Sequence, residues 1–151
     1  MSDTAELTVD ETQEFVTFSA GNQVFCIKIT QIREIRRWAP VTALPHTPPD
    51  VLGVMNLRGS VIPIIDLSAR FGLGRTEPQE RNVVIIVIDG DRSVGMLVQS
   101  VSEILSVTAE QIQDTSDVRA TSSAYYITGI ISHEKQMIRV IDLAAVLHGR
   151  S

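Results

Sequence analysis

Apolar and polar residues alternate along most of the chain, and many of the apolar positions hold β-branched residues. Alternation with a period of two predicts strands with one buried face, and turn residues such as Gly21 and Asn22 separate the apolar runs. Helical patterns are few and short. Many short strands at close spacing are typical of a small barrel or sandwich. The predicted strands cover residues 15–19, 24–29, 53–57, 61–65, 83–88, 93–98, 126–131 and 137–141.

The chain also contains an internal repeat. When it is shifted by 69 residues, segment 15–35 aligns with 84–104 without a gap. When it is shifted by 76 residues, segment 53–72 aligns with 129–148, and an Ile-Asp-Leu triplet recurs at the same place in both. Because the two blocks recur in the same order, the sequence predicts two similar β units related by a pseudo-twofold.

The two units are predicted to cover about 14–72 and 82–149, with the polar segment 73–81 as their connector. Each unit ends in a strand that runs into a short helix, and Asp66 and Asp142 stand at the predicted N-cap positions. Two matched aspartates could also suggest a pair of catalytic carboxylates. Capping already explains both residues, so we predict no acid–base chemistry for them.

Charge is concentrated at the N-terminus. The chain has 151 residues and a formal net charge of −5. Four acids and no base lie in the first twelve residues, namely Asp3, Glu6, Asp10 and Glu11, and without them the net charge is −1. Residues 1–13 are therefore predicted to be a disordered acidic tail on a nearly neutral domain, residues 14–151. The basic stripe that nucleic-acid binding usually requires is missing from the sequence.

Residues that could carry chemistry are scattered. The three histidines, His46, His133 and His148, lack the spacing of metal ligands, so no metal site is predicted. Cys26 is the only cysteine and alternates with strand residues, which predicts a small buried side chain. The sequence has no phosphate-binding glycine loop and no nucleophile elbow, so no cofactor is predicted. These absences favour a binding module over an enzyme.

Sorting signals are missing as well. The N-terminus has neither a basic start nor an apolar core, and no apolar run approaches the roughly 18 residues of a membrane span. We therefore predict a cytoplasmic protein without direct membrane insertion.

A single arginine interrupts the apolar stretch 53–67. If the runs on either side are paired strands, Arg58 stands at the tip of their turn. A solvated arginine is the simplest interpretation of such a residue. The repeat argues against it, because the equivalent position holds Glu134, so the scaffold does not require a cation there. Pro63 nearby indicates an edge strand or a bulge, and an arginine beside apolar edge residues is typical of an interface anchor.

Four segments carry a resemblance to a known family, and together they cover nearly the whole chain from Glu14 to Leu147. The chain resembles the CheW family of bacterial chemotaxis coupling proteins in "EFVTFSAGNQVFCIKITQIREI", "TPPDVLGVMNLRGSVIPIIDLSARFG", "VVIIVIDGDRSVGMLVQSVSEILSVTAEQI" and "YITGI". The resemblance implies a mostly β fold of two five-stranded SH3-like barrels with short helices. It also implies a non-catalytic adaptor that couples chemoreceptor cytoplasmic tips to the regulatory domain of a CheA-type histidine kinase.

The resemblance further implies two contact surfaces. The receptor-binding groove would lie between the barrels and comprise Ile32, Glu34, Gly53, Asn56, Arg58, Gly59, Val83, Val101 and Ile104. The kinase-binding surface would include the stretch after "TAEQI", with Gln113, Asp117 and Val118. This stretch lacks the large apolar residue that could anchor a kinase contact.

Two alternatives to this function stay open. An adaptor of a pilus or other chemosensory-like pathway would have the same features. A nucleic-acid-binding small barrel would belong to a different class, and the lack of basic stripes and of stacking aromatic residues argues against it.

Overall fold

The computed structural model describes residues 11–115 and 126–148, which form eleven strands and two short α-helices. The order along the chain is β1 (Thr12–Ala20), β2 (Gln23–Lys28), β3 (Ile32–Arg37), β4 (Val51–Leu57), β5 (Ser60–Asp66), α1 (Leu67–Arg70), β6 (Val83–Asp89), β7 (Arg92–Val98), β8 (Ser100–Thr108), β9 (Ile112–Asp114), β10 (Ile127–His133), β11 (Gln136–Ile141) and α2 (Leu143–His148). Single 3-10 turns, Ile29–Gln31 and Ala109–Gln111, precede β3 and β9.

The strands form two sheets. The first sheet has the order β8-β1-β2-β11-β10-β9, and the second has the order β3-β6-β7-β5-β4. This is the predicted mostly β fold, and its two sheets are consistent with two SH3-like barrels. The second sheet has the predicted five strands. The first has six, because the short strand β9 pairs with the edge of β10.

The repeat seen in the sequence relates the two sheets strand by strand. The shift of 69 residues relates β1, β2 and β3 to β6, β7 and β8, and the shift of 76 relates β4 and β5 to β10 and β11. When each strand of the second sheet is replaced by its repeat partner, its order becomes that of the first sheet. Even β9 has a counterpart, because Thr42 forms an isolated bridge with Val54 of β4.

Each sheet takes strands from both units. The first combines β1 and β2 with β8 to β11, and the second combines β3, β4 and β5 with β6 and β7. Two ladders in each sheet therefore join the units, one antiparallel and one parallel. The parallel ladders pair β2 with β11 and β5 with β7. Segments 14–72 and 82–149 are thus each divided between the two sheets.

The core has three parts. Each sheet forms one apolar cluster of its own, which includes Phe15 and Ile138 in the first sheet and Ile64 and Val84 in the second. A larger cluster joins the two sheets. A series of aromatic contacts runs through this shared core, with ring centroids 6.2 Å apart for Phe18 and Phe25, 4.9 Å for Phe25 and Phe71, and 5.1 Å for Phe71 and Tyr126. Because both sheets contribute side chains to this shared core, each sheet buries apolar surface of the other.

Both predicted helix caps are present. Asp66 Oδ1 accepts a hydrogen bond from the Ala69 N–H at 3.4 Å, and Asp142 Oδ1 accepts one from the Ala145 N–H at 3.2 Å. Asp66 is buried and also accepts hydrogen bonds from the backbone N–H and the hydroxyl of Thr76, at 2.6 and 2.9 Å. Its carboxylate therefore holds the connector 73–81 against α1 as well as capping the helix.

Several sequence predictions need correction. β1 begins at Thr12, so the last two residues of the predicted tail belong to a strand, and residues 1–10 lie outside the described residues. The edge strands β3 and β8 and the short strand β9 were not predicted. Pro63 does not mark an edge strand, because β5 lies between β4 and β7. Its parallel ladder with β7 begins at Ile64, one residue after the proline, which has no N–H to donate.

Gly53, one of the predicted receptor contacts, has a packing role. It is buried at a register shift in the β4–β5 ladder, and its φ is +149°. A Cβ at this position would lie 2.3 Å from the Thr42 carbonyl oxygen, which is held there by backbone hydrogen bonds of 2.8 and 2.9 Å between Thr42 and Val54. The backbone of residue 42 can approach β4 only because residue 53 has no side chain.

We expect Gly53→Ala to lower the free energy of unfolding by about 2 kcal/mol or more, because the clash is with backbone and cannot be relieved by a rotamer change. Chemical denaturation would measure the loss. Gly59→Ala is the matched control: its φ is +87°, but a Cβ there meets nothing within 4 Å, so it should cost only about 1 kcal/mol of backbone strain. Equal losses for the two variants would contradict the proposed clash.

Candidate functional site

Arg58 lies at the tip of the β4–β5 hairpin, as predicted. Arg58 and Gly59 have φ values of +52° and +87°, the property of a type I′ turn. The turn is one residue shorter than predicted, since Ser60 already belongs to β5. The Gly59 N–H donates to Asn56 Oδ1 at 3.2 Å. Asn56 and Gly59, both predicted contact residues, thus shape the turn that presents Arg58.

The Arg58 side chain pairs with Glu34 on β3. Arg58 Nη2 donates to Glu34 Oε1, while Arg36 Nη1 donates to the other carboxylate oxygen, Oε2, at 3.0 Å. The exposed fraction of the side chain is 63% for Arg58, 40% for Arg36 and 24% for Glu34. β3 and β4 are the outer strands of the second sheet. The pair between Glu34 and Arg58 therefore links its two edges. We call Glu34, Arg36 and Arg58 the Glu34 cluster.

The two arginines favour the charged form of Glu34. They lower the pKa of its carboxyl, with the hydrogen bond from Arg58 as the largest cause and that from Arg36 as the second. The ionised carboxylate is stabilised in the folded state. Its contribution to folding is therefore present above the ordinary pKa range of a glutamate and is lost as the pH falls through the lowered value.

Three predicted aliphatic contact residues lie at the margin of the shared core. They are half-buried and pack against the cluster that joins the sheets, and they are Ile32 on β3, Val83 on β6 and Val101 on β8. Val101 pairs with Phe18 of β1. This is where a groove between the two sheets would run. Ile104 lies farther along β8, opposite Val16, and is 56% exposed.

A second feature next to Arg58 is a shallow groove of about 320 Å³ on the second sheet. Arg33, Arg58, Val61 and Arg92 are among the residues that line it. Val61 is 65% exposed, the highest value among the exposed large apolar side chains. The Arg58 turn thus combines cationic groups with an accessible apolar surface.

The predicted kinase-binding residues are only partly described. Gln113 lies on β9 opposite Ile130 and is exposed. Asp117 and Val118 lie outside the described residues.

Comparisons with known proteins agree with this geometry. A family model described as "CheW-like domain" matches residues 14–151. The chain belongs to the CheW-like domain family. It is similar to the "Probable chemotaxis protein CheW" of Rhizobium etli, with 45% identity over 89% of this chain and 86% of the relative. It is also 41% identical to the "Chemotaxis protein CheW" of Rhizobium meliloti, over 97% of this chain and 94% of the relative.

A solved structure shares the fold. The crystal structure of the scaffolding protein TtCheW from Thermoanaerobacter tengcongensis matches with a TM-score of 0.81 and 29% identity, over 89% of this chain and 87% of the other. The resemblance that the sequence motifs suggested is therefore confirmed at the level of both family and fold.

Chemistry-bearing groups do not converge in the described part of the chain. Within residues 11–115 and 126–148, no group of three or more His, Cys, Asp and Glu side chains is placed to hold a metal ion. Cys26 is buried, and burial raises the pKa of its thiol to about 12. The thiol is therefore protonated at neutral pH and unreactive. In the same ranges, none of the helices has the length and apolar character needed to cross a membrane.

Arg36 is the site residue that sequence reasoning missed. In the sequence it is adjacent to Arg37 and indicates no more than a pair of charges. A signal was available, however, because Arg36 follows Glu34 by two residues, and residues two apart on a strand share a face. The strand β3 had first to be recognised for this spacing to have meaning.

We expect Arg58→Ala to raise the Glu34 pKa more than Arg36→Ala does, because the Arg58 hydrogen bond is the largest cause of its lowering. An NMR pH titration of the Glu34 side-chain carboxyl would measure both changes. Arg33→Ala is the control on the same strand, since the Arg33 guanidinium donates to Ser93 Oγ at 3.1 Å. An unaltered Glu34 titration in Arg58→Ala would show that the pair does not form in solution.

Proposed function

We propose that the chain is a non-catalytic adaptor that couples chemoreceptor cytoplasmic tips to the regulatory domain of a CheA-type histidine kinase. The observation that carries this proposal is the similarity to chemotaxis proteins CheW over nearly the full length of both chains. The fold match to a protein described as a scaffolding protein supports the same role.

The receptor contact is proposed for the surface around the Glu34 cluster. A helical receptor tip needs an apolar strip with charged margins. Ile32, Val83 and Val101 provide half-buried apolar surface at the margin of the shared core, and Arg58, held by its pair with Glu34, provides the charge. The roles proposed for Gly53 and Asn56 are indirect, since they fix the backbone and turn that present Arg58.

The kinase contact is proposed for the stretch that follows Ile112. Gln113, Asp117 and Val118 are assigned to it through the family resemblance alone, and Gln113 is exposed at the edge of the first sheet. We propose that the protein acts in the cytoplasm and is recruited to membrane receptor arrays through its partners.

Proteins are better partners for this surface than nucleic acids. A single-strand binding barrel presents aromatic side chains on which bases stack. Among the described residues, the four phenylalanines and Tyr126 are buried, and Trp38 packs against the core of the second sheet. The aromatic residues described thus serve packing.

We propose that the protein is not catalytic, because the groups that could carry chemistry have structural roles. Asp66 and Asp142 cap helices, and the Cys26 thiol is buried and protonated. We expect the purified protein to hydrolyse no ATP and to transfer no phosphoryl group by itself. It should change the autophosphorylation rate of a cognate kinase only when receptor is present. Turnover by the isolated chain that disappears in a folded Asp66 or Asp142 variant would contradict this.

We expect Arg58→Glu to weaken binding of a chemoreceptor tip fragment by about 2 kcal/mol, roughly thirtyfold, because an attraction to the partner becomes a repulsion. The thermal midpoint should change little, since the side chain is mostly exposed. Affinity for the kinase regulatory domain should be retained. Isothermal titration with each partner separately would measure these effects.

Glu134→Arg is the matched control for that variant. Glu134 occupies the equivalent first position of the β10–β11 turn, with a φ of +50° against +52° for Arg58. Charge reversal there should leave receptor affinity unchanged. Unchanged receptor binding in Arg58→Glu would remove Arg58 from the interface, and equal loss of both partners would indicate a shared surface or misfolding.

A further inference from the structure

Glu34 has one more cationic partner than a single ion pair requires. Arg58 binds one carboxylate oxygen and Arg36 binds the other. Arg36 lies two residues away on the same strand, so its distance from Glu34 is fixed by β3 itself. Arg58 comes from the tip of a different hairpin and is the most exposed of the three side chains. The two arginines are therefore not equivalent: one is local to Glu34 and the other is free to point elsewhere.

The cluster and its strand are cationic. Glu34 with Arg36 and Arg58 has a net charge of +1, and Arg33 and Arg37 on the same strand are also exposed. Glu34 is the only acid on β3. This charge favours a partner that presents a carboxylate, because unlike charges across an interface stabilise the complex and like charges oppose it.

Recruiting Arg58 to such a partner has a cost that depends on Arg36. If Arg58 were the only cation at Glu34, its departure would leave the Glu34 carboxylate unpaired while the partner covers the surface. Unpaired charges at an interface are strongly unfavourable. With Arg36 on the second oxygen, Glu34 stays paired while Arg58 moves.

We propose that Arg36 is a positioning residue that holds Glu34 when Arg58 leaves it to bind a carboxylate of the docked partner protein. In the free protein Glu34 keeps Arg58 from extending into solvent, and in the complex Arg36 replaces Arg58 as its main partner. Arg36 itself does not contact the partner. This inference rests on the proposed receptor contact at Arg58.

The test is the affinity of a purified chemoreceptor tip fragment for a set of full-length variants, measured by titration calorimetry. Arg36→Ala should weaken binding about fivefold, which corresponds to the roughly 1 kcal/mol that a well-placed exposed ion pair contributes. Arg36→Ala combined with Glu34→Gln should restore the affinity, because a neutral side chain no longer retains Arg58. Arg36→Lys should bind like the natural protein, and Arg33→Ala serves as the control for lost charge on β3.

The outcomes separate this inference from the proposed function. A natural chain that does not bind the fragment overturns both. If the natural chain binds and Arg36→Ala binds equally well, only the role of Arg36 is wrong. If Glu34→Gln fails to restore the affinity of Arg36→Ala, one of the two residues contacts the partner directly, and the inference is also wrong.

In an Arg58→Ala background, Arg36→Ala should have no further effect on receptor affinity, and a further fivefold loss there would contradict the coupling between Arg36 and Arg58. Thermal midpoints of all variants exclude misfolding as the cause.

Discussion

Exchange of strands between the two halves of the chain is the constraint on which the rest of the structure depends. Each sheet contains two ladders that join strands from different halves, including the parallel pairs β2–β11 and β5–β7. Neither half can complete a sheet by itself, and the core between the sheets contains side chains from both. Folding therefore requires long-range pairing across most of the chain, which is expected to make it cooperative and relatively slow.

The same constraint fixes the helices and the connector. Arg70 in α1 donates to Asp50 and to the Val146 carbonyl of α2, so one side chain ties together segments from both halves. Asp66 caps α1 and also anchors Thr76 in the connector. These polar contacts occupy groups that could otherwise suggest chemistry, and they explain why matched aspartates in a duplicated chain are structural.

A nearly symmetric framework here presents two different surfaces. The β4–β5 turn carries Arg58 against Glu34, whereas the equivalent β10–β11 turn carries Glu134, with His133 Nε2 3.5 Å from the Glu134 carboxylate and 4.0 Å from that of Glu103. Glu103 is the repeat partner of Glu34. The backbone geometry of the two turns is alike, but the charge at the first turn position is reversed, from Arg58 to Glu134. An adaptor that must hold two unlike partners needs such an asymmetry, since identical surfaces would bind either partner at either end.

Binding residues at turn tips and sheet edges can vary without loss of the fold. The side chains of Arg58 and Arg36 are 63% and 40% exposed, so their replacement removes little packing. Gly53 is different, because the close approach of Thr42 depends on it. Residues that the family resemblance assigns to one contact surface therefore divide into those that meet a partner and those that maintain the backbone behind it.

Much of the architecture was determined by the sequence itself. Alternation and β-branched residues predicted most of the strands, the repeat predicted two similar β units, and the Asp-Leu boundaries predicted both helix caps, because these features depend on residues close together in the chain. The family motif predicted Arg58 and Glu34 as site residues.

Tertiary structure alone decided which strands pair across the halves, because alternation defines a buried face but not the neighbouring strand. It placed Pro63 in an interior strand, which depends on contacts between distant segments, and it formed β3, the edge strand that brings Arg36 beside Glu34. The short edge strands β3, β8 and β9 belong with these: β3 is rich in arginine and β9 has only three residues, so their pairing depends on the adjacent strand more than on their own composition.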